Sequence, residues 1–227
     1  FKSASSTMEF EIQPNEITIS DVKVADKTYD GTTEAKITNE GTLSDNYDGD
    51  NLTIAIGSAA YDNKNVGTDK TVTFTGFALA GDAAANYELV AQPADTTADI
   101  TAKGITIVGA AVESSKVYDG TTEVKITNAG TLSDNYDGEN LTIVTGSAAY
   151  DNKNVGTGKT VAFTGFALAG DAAANYKLIA QPTDTTSDIT VKEITISGAA
   201  VEASRIYDGT TDAKITNAGT PSVNYDG

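Results

Sequence analysis

Tyr29-Asp30-Gly31-Thr32-Thr33 returns as Tyr118-Asp119-Gly120-Thr121-Thr122 and again as Tyr207-Asp208-Gly209-Thr210-Thr211, with both offsets equal to 89 (118 − 29 and 207 − 118). A period of that length is domain-sized. Solenoid repeats run to about 20–50 residues and need their neighbours to enclose a core. A longer unit encloses its own, so the chain reads as beads on a string. From Lys27 to Ala102 and from Lys116 to Val191 the two complete copies are nearly identical.

The module boundaries follow from three junctions, Gln13-Pro14-Asn15-Glu16, Ala102-Lys103-Gly104 and Val191-Lys192-Glu193. Each leads into Ile-Thr-Ile, at Ile17-Thr18-Ile19, Ile105-Thr106-Ile107 and Ile194-Thr195-Ile196. Residues 1–15 are expected to end a preceding module, because Glu9-Phe10-Glu11-Ile12 aligns with the final strand Thr97-Ala98-Asp99-Ile100. Residues 16–103 and 104–192 form two full repeats. Residues 193–227 form a truncated third, too short to close a core. Linkers this short restrict neighbouring modules far more than a Gly/Ser tract would, so the expected partners are neighbouring repeats of the same chain.

Within a repeat, apolar and polar residues alternate, as in Ala35-Lys36-Ile37, Leu52-Thr53-Ile54-Ala55-Ile56, Val72-Thr73-Phe74-Thr75 and Tyr87-Glu88-Leu89-Val90-Ala91. Period-two alternation of β-branched and aromatic residues between Gly, Asn and Asp marks half-buried strands. About seven or eight short strands fit one unit, which predicts an all-β fold of tandem antiparallel β-sandwich domains, Greek-key and Ig-like. The single helical candidate, Gly81-Asp82-Ala83-Ala84-Ala85-Asn86, is long enough only for a corner.

Composition narrows the function. There are 32 acidic against 15 basic residues, a net charge of −17 spread through the repeats; such a surface repels phosphates and anionic headgroups, which excludes nucleic acid as a partner. The absence of Cys removes disulfides, thiolate nucleophiles and thiolate metal sites, and the absence of His removes the usual general base and the commonest metal ligand. No apolar run reaches the roughly 18 residues of a membrane span, so no membrane insertion is expected. The opening Phe1-Lys2-Ser3-Ala4 lacks Met and an apolar signal region, and the chain reads as an excerpt of a longer one.

Few groups invite chemistry. Asp-Gly in the repeated motif suits a tight turn, since both residues tolerate positive φ. The loop from Ser44 to Asn51 and its copy from Ser133 to Asn140 concentrate oxygen donors, which makes Asp45, Asp48, Asp50, Asp134, Asp137 and Glu139 weak calcium candidates. Their spacing departs from the EF-hand pattern, and a solvated acidic loop is the plainer reading; no metal and no other cofactor is expected. Lys36 and Lys125 with Asn86 and Asn175 raise the idea of a Lys-Asn isopeptide crosslink, against the default of lysines on a polar strand face. Glycoside hydrolysis needs two acids across a cleft, and a module this small has little room for one. No catalytic or cofactor-binding residue is therefore assigned. With no Trp in the chain, aromatic platforms for a glycan are limited to tyrosines such as Tyr47, Tyr61 and Tyr87.

Three blocks in fixed order carry a family resemblance: Lys116 to Thr122, then Asp151-Asn152-Lys153-Asn154-Val155-Gly156-Thr157-Gly158-Lys159-Thr160-Val161, then Leu168-Ala169-Gly170-Asp171-Ala172-Ala173-Ala174-Asn175-Tyr176. Together they resemble the YDG repeat domains of large bacterial surface and secreted proteins, including haemagglutinin-like adhesins, over residues 16–227. The resemblance implies an extracellular, repeated β module and brings no catalytic or binding residue with it. One departure is Asp69, where the second copy has Gly158; an altered turn is expected there. The expected function is a structural stalk or spacer of an adhesin-like protein. The alternative is that the repeats bind glycan or host protein themselves, through many weak contacts.

Overall fold

Gly67–Thr75 is the longest strand of the first module, and along it Lys70, Val72 and Phe74 are buried while Thr71, Thr73 and Thr75 face solvent. Alternating side chains of a pleated strand point to opposite faces, so this pattern covers one side of a sheet. The same rule builds the rest of the chain. The computed structural model describes residues 9–223 except 48 and 137. Among them all regular structure is strand, apart from the single-turn 3-10 helices Ala84–Asn86 and Ala173–Asn175. The protein is all-β.

The chain forms two compact units. The first is Phe1–Gly104 together with Tyr136–Asn140 and Asp171–Lys177; the second is Ile105–Asn135, Leu141–Gly170 and Leu178–Gly227. Two short segments of the second repeat thus belong to the first unit.

The first unit holds a five-stranded sheet in the order Lys27–Thr28, Thr96–Thr101, Gly67–Thr75, Ser58–Tyr61, Glu34–Ala35. The expectation of wholly antiparallel pairing is corrected here. Lys27 and Thr28 run parallel to Ile100 and Thr101, and Asn15–Ile17 runs parallel to Tyr87–Leu89, whereas the remaining pairs of the main sheet are antiparallel. Parallel neighbours need a long connection, and almost a whole module lies between each of these partners. Short ladders complete the unit, Ile19–Ser20 with Thr42–Leu43, Lys23–Val24 with Ile37–Asn39, and Thr53–Ala55 with Ala78–Ala80. Ile17, Leu52, Ala83 and Tyr87 are buried together, with Leu43 and Leu79 packed on them.

In the second unit a four-stranded sheet runs Ser115–Val117, Thr185–Thr190, Gly156–Thr164, Ser147–Tyr150, again with a parallel first pair. Its core joins Ile107, Val124, Tyr150, Val161, Phe163, Phe166 and Ile189. Phe163 and Phe166 meet edge to face at 5.8 Å, the arrangement the ring quadrupoles favour. From residue 193 onward no described residue is buried, although the ladders of a module recur as Ile196–Ser197 with Thr220–Pro221 and Ala200–Val201 with Ile215–Asn217.

The turn at Asp69 is not altered. Asp69 takes φ +49° and Gly158 takes φ +60°, and the backbone N–H of each donates at 2.8 Å to the carboxylate of its own module, Asp99 or Asp188. A Cβ added to Gly158 meets nothing within 4 Å, so the left-handed backbone alone sets the cost, and aspartate visits that region more readily than most residues. Gly158→Asp is expected to change stability by no more than about 1 kcal/mol. A thermal melt displaced by much more than about 5 °C would overturn this.

Candidate functional site

The repeated motif is closed by its own aspartate. Asp30 Oδ1 accepts from the Thr32 N–H and from the Thr32 hydroxyl, both at 2.9 Å, while Gly31 adopts φ +79°. Lys27 lies across this turn. Its Nζ donates to Asp30 Oδ1 at 2.8 Å, the Thr32 carbonyl at 2.9 Å and the Glu34 carbonyl at 2.9 Å. Lys116 repeats these bonds on Asp119, Thr121 and Glu123, and in the third copy Arg205 holds Asp208 and Thr210. Sequence reasoning quoted this cation with the motif and gave it no role, although one stands two positions ahead of the tyrosine in every copy.

The Lys116 ammonium holds the Asp119 carboxyl down at about 2 against an ordinary value of 3.8; burial opposes it, and the Thr121 N–H and hydroxyl assist. A carboxyl depressed on folding contributes stability above its unfolded value and loses it as pH falls through the folded one. Asp119→Asn is therefore expected to destabilise the second module at pH 7, by an amount that shrinks between about pH 4 and pH 2. Urea titrations at the three pH values check this; a difference that stays constant would mean that the charge of Asp119 contributes nothing.

Tyr29, the aromatic of the first motif, is 1% exposed. Its surroundings lie within the first unit. The ring meets Tyr136 at 5.9 Å and Tyr176 at 5.5 Å, both edge to face, and its hydroxyl donates to the Glu139 carboxylate. That carboxylate also accepts from the Tyr176 hydroxyl at 2.6 Å and from Lys64 Nζ at 2.9 Å, with a side chain only 9% exposed.

The loop that carries Lys64 is held in shape by Lys70, whose Nζ bonds Asp62 Oδ1 at 2.8 Å and Asn63 Oδ1 at 2.9 Å. Past it, the Val66 N–H donates to Asn175 Oδ1 at 2.9 Å and Asn175 Nδ2 donates to Asn65 Oδ1 at 3.1 Å. Asn175 is 5% exposed, and these bonds satisfy an amide that burial would otherwise leave costly.

Burial and the bond to Glu139 raise the Tyr29 hydroxyl, and the same two causes push Tyr176 up to about 12. For Glu139 burial acts upward, but the hydroxyls of Tyr176 and Tyr29 and the Lys64 ammonium together bring its carboxyl below the usual range. Glu139 and Tyr29 raise Lys64. Every one of these displacements leads away from neutrality, whereas a general acid or base works best with a pKa near the operating pH. The arrangement is suited to holding groups in place.

Of the calcium candidates, Asp48 and Asp137 lie outside the described residues. Asp50 accepts from the Tyr87 hydroxyl at 2.6 Å, Glu139 is bonded as above, and the Asp45 backbone carbonyl accepts from Asn15 Nδ2 at 3.4 Å. Among the described residues no three His, Cys, Asp or Glu side chains gather as a metal site; Asp134 belongs to none. The pairing of Lys36 or Lys125 with Asn86 or Asn175 does not form. Asn175 binds Val66 and Asn65, while Lys70 reaches Asn63 and Lys159 reaches Asn152, each at the amide oxygen and each also on a carboxylate. Of the tyrosines considered for a glycan, Tyr61 and Tyr87 are buried and Tyr47 is 67% exposed.

A family model described as YDG domain matches the chain twice, over residues 13–98 and residues 101–187. No curated protein and no solved structure matches it.

Proposed function

From the premise that the chain belongs to the YDG domain family, whose two matches take in most of it, we propose that its modules are non-catalytic structural spacers of a bacterial surface or secreted adhesin-like protein. The observation that carries this reading is the burial of Tyr29. The aromatic of the repeated motif is there enclosed by Tyr136, Tyr176 and Glu139, residues of the next copy, and a side chain occupied in this way has no face left for a foreign ligand. The acidity and the lack of Cys and His agree with a non-sticky module that performs no chemistry.

Each module is read as a two-layer sandwich of the Greek-key, Ig-like kind, supported in the second unit by a main sheet and short ladders that share one core. The setting proposed is extracellular, without a metal or cofactor, with neighbouring repeats as the direct partners and any glycan or host ligand contacted by other parts of the parent protein. Glycan and extracellular-matrix arrays probed with the full chain test the proposal. Signal no higher than a scrambled-surface control is expected, with or without calcium. Saturable binding, lost on Tyr47→Ala, would replace the spacer with the ligand-binding alternative.

A further inference from the structure

The residues that enclose Tyr29 have counterparts one period earlier: Tyr47 for Tyr136, Asp50 for Glu139, Asn86 for Asn175 and Tyr87 for Tyr176. These counterparts line an open groove together with the segment from Ile12 to Asn15. Its geometry is already that of the occupied version. The Tyr87 hydroxyl donates to Asp50 at 2.6 Å and accepts from the Tyr47 N–H at 3.0 Å, as the Tyr176 hydroxyl donates to Glu139 at 2.6 Å and accepts from the Tyr136 N–H at 3.1 Å. The Asn51 amide bonds Asp82 just as the Asn140 amide bonds Asp171.

What differs is cover. Asn175 is buried whereas Asn86 is exposed, and Tyr136 is half-buried whereas Tyr47 is exposed. We infer that the groove between Tyr47, Asp50, Asn86 and Tyr87 is a docking seat for a further copy of this module, entered by that copy's motif tyrosine and flanked by its counterpart of Lys64. The occupant is fixed by the filled seat: a phenol that needs a carboxylate acceptor, an ammonium that pairs with the same carboxylate, and a backbone N–H that needs the asparagine amide. Asp50 offers the carboxylate and Asn86 the amide. The inference rests on the spacer reading and extends it, because it makes each module both donor and acceptor through opposite sets of residues.

The chain contains no cysteine, so one introduced thiol reports its own accessibility. The test uses the full chain and the same chain with residues 13–100 duplicated in tandem, which places a complete copy ahead of the original groove through the natural junction. Asn86→Cys in the original groove is expected to label quickly in the full chain and at least about tenfold more slowly in the duplicated one; Tyr47→Cys, which keeps the Asn86 amide, reports in parallel. Tyr29→Ala in the leading copy is expected to restore fast labelling. Fast labelling of both reporters in a folded duplicated chain, protection that survives Tyr29→Ala, or a duplicated chain that fails to fold would each overturn the inference. Asn175→Cys in the full chain separates the two readings. If it labels slowly while the duplicated groove stays reactive, the seat fails and the spacer stands; if it labels quickly, the contact behind the spacer reading fails as well.

Discussion

Gly146→Ala is expected to cost the second module about 3 kcal/mol or more. Gly146 lies just before the strand Ser147–Tyr150, pressed against the bend Thr164-Gly165-Phe166. A Cβ there would come within 2.6 Å of the Gly165 carbonyl carbon and 2.7 Å of the Phe166 nitrogen, with the Thr164 oxygen nearer still. All three are backbone atoms, so no rotamer change relieves the overlap. The bend is also fixed from its far side, where the Gln181 side chain accepts from the Phe166 N–H at 2.8 Å and donates to the Phe166 carbonyl at 3.1 Å. Displacing it would draw Phe166 away from Phe163 and open the core. Since small domains are stable by only about 5–15 kcal/mol, such a loss is readily seen in urea. Gly57 is confined in the same way in the first module, where an added Cβ would meet Gly76 and Phe77 at 2.6 Å while Gln92 holds Phe77. A loss under about 1 kcal/mol at both positions would show that the bend yields.

The contrast between Gly146 and Gly158 marks what a sequence conveys. Both are glycines near strand ends, yet one faces backbone and the other open space. Strands with strict alternation were legible: Val72-Thr73-Phe74-Thr75 lies in Gly67–Thr75, and Leu52 to Ile56 brackets Thr53–Ala55. Ala35-Lys36-Ile37 has the same alternation but is divided between two ladders, Glu34–Ala35 with Ser58–Tyr61 and Ile37–Asn39 with Lys23–Val24. Alternation says which faces are apolar and nothing of which strand lies alongside. Parallel pairing was missed for the same reason, since it joins residues almost a module apart. The carboxylates of the acidic loop were legible as a group, and Glu139 was among them. Its partners were not, because Lys64 and Tyr29 lie 75 and 110 residues away and Tyr29 has no local signature that separates it from Tyr207, which is 90% exposed. The same motif tyrosine is buried at Tyr29, half-buried at Tyr118 and exposed at Tyr207.

Glu139→Ala is expected to destabilise the first unit by about 2–4 kcal/mol. The substitution leaves the buried Tyr29 hydroxyl without its acceptor and takes the charge-assisted bond from Tyr176, each worth roughly 1.5–3 kcal/mol when a charged partner is removed. The Lys64 share is small, since its side chain is 46% exposed and solvent screens such a pair. Glu139→Gln keeps an acceptor oxygen and is expected to lose roughly half as much. The pH dependence separates this account from simple loss of packing. The folded Glu139 carboxyl lies below its ordinary value of 4.5, so its contribution is complete above that value and disappears as pH falls through the folded one. Tyr176 is raised from 10.0 to about 12, so its contribution is complete below pH 10 and disappears as pH rises toward 12. The stability difference between wild type and Glu139→Ala is therefore expected to be level from about pH 5 to pH 10 and to narrow on both sides, read by urea unfolding of the full chain. A difference that ignores pH would assign the loss to packing alone. Glu139→Asp, which installs the acid of the first copy, then asks whether the shorter side chain still reaches both hydroxyls; Asp50 holds Tyr87 at the distance at which Glu139 holds Tyr176, so the Tyr176 bond is expected to survive and any loss to fall on Tyr29 and Lys64.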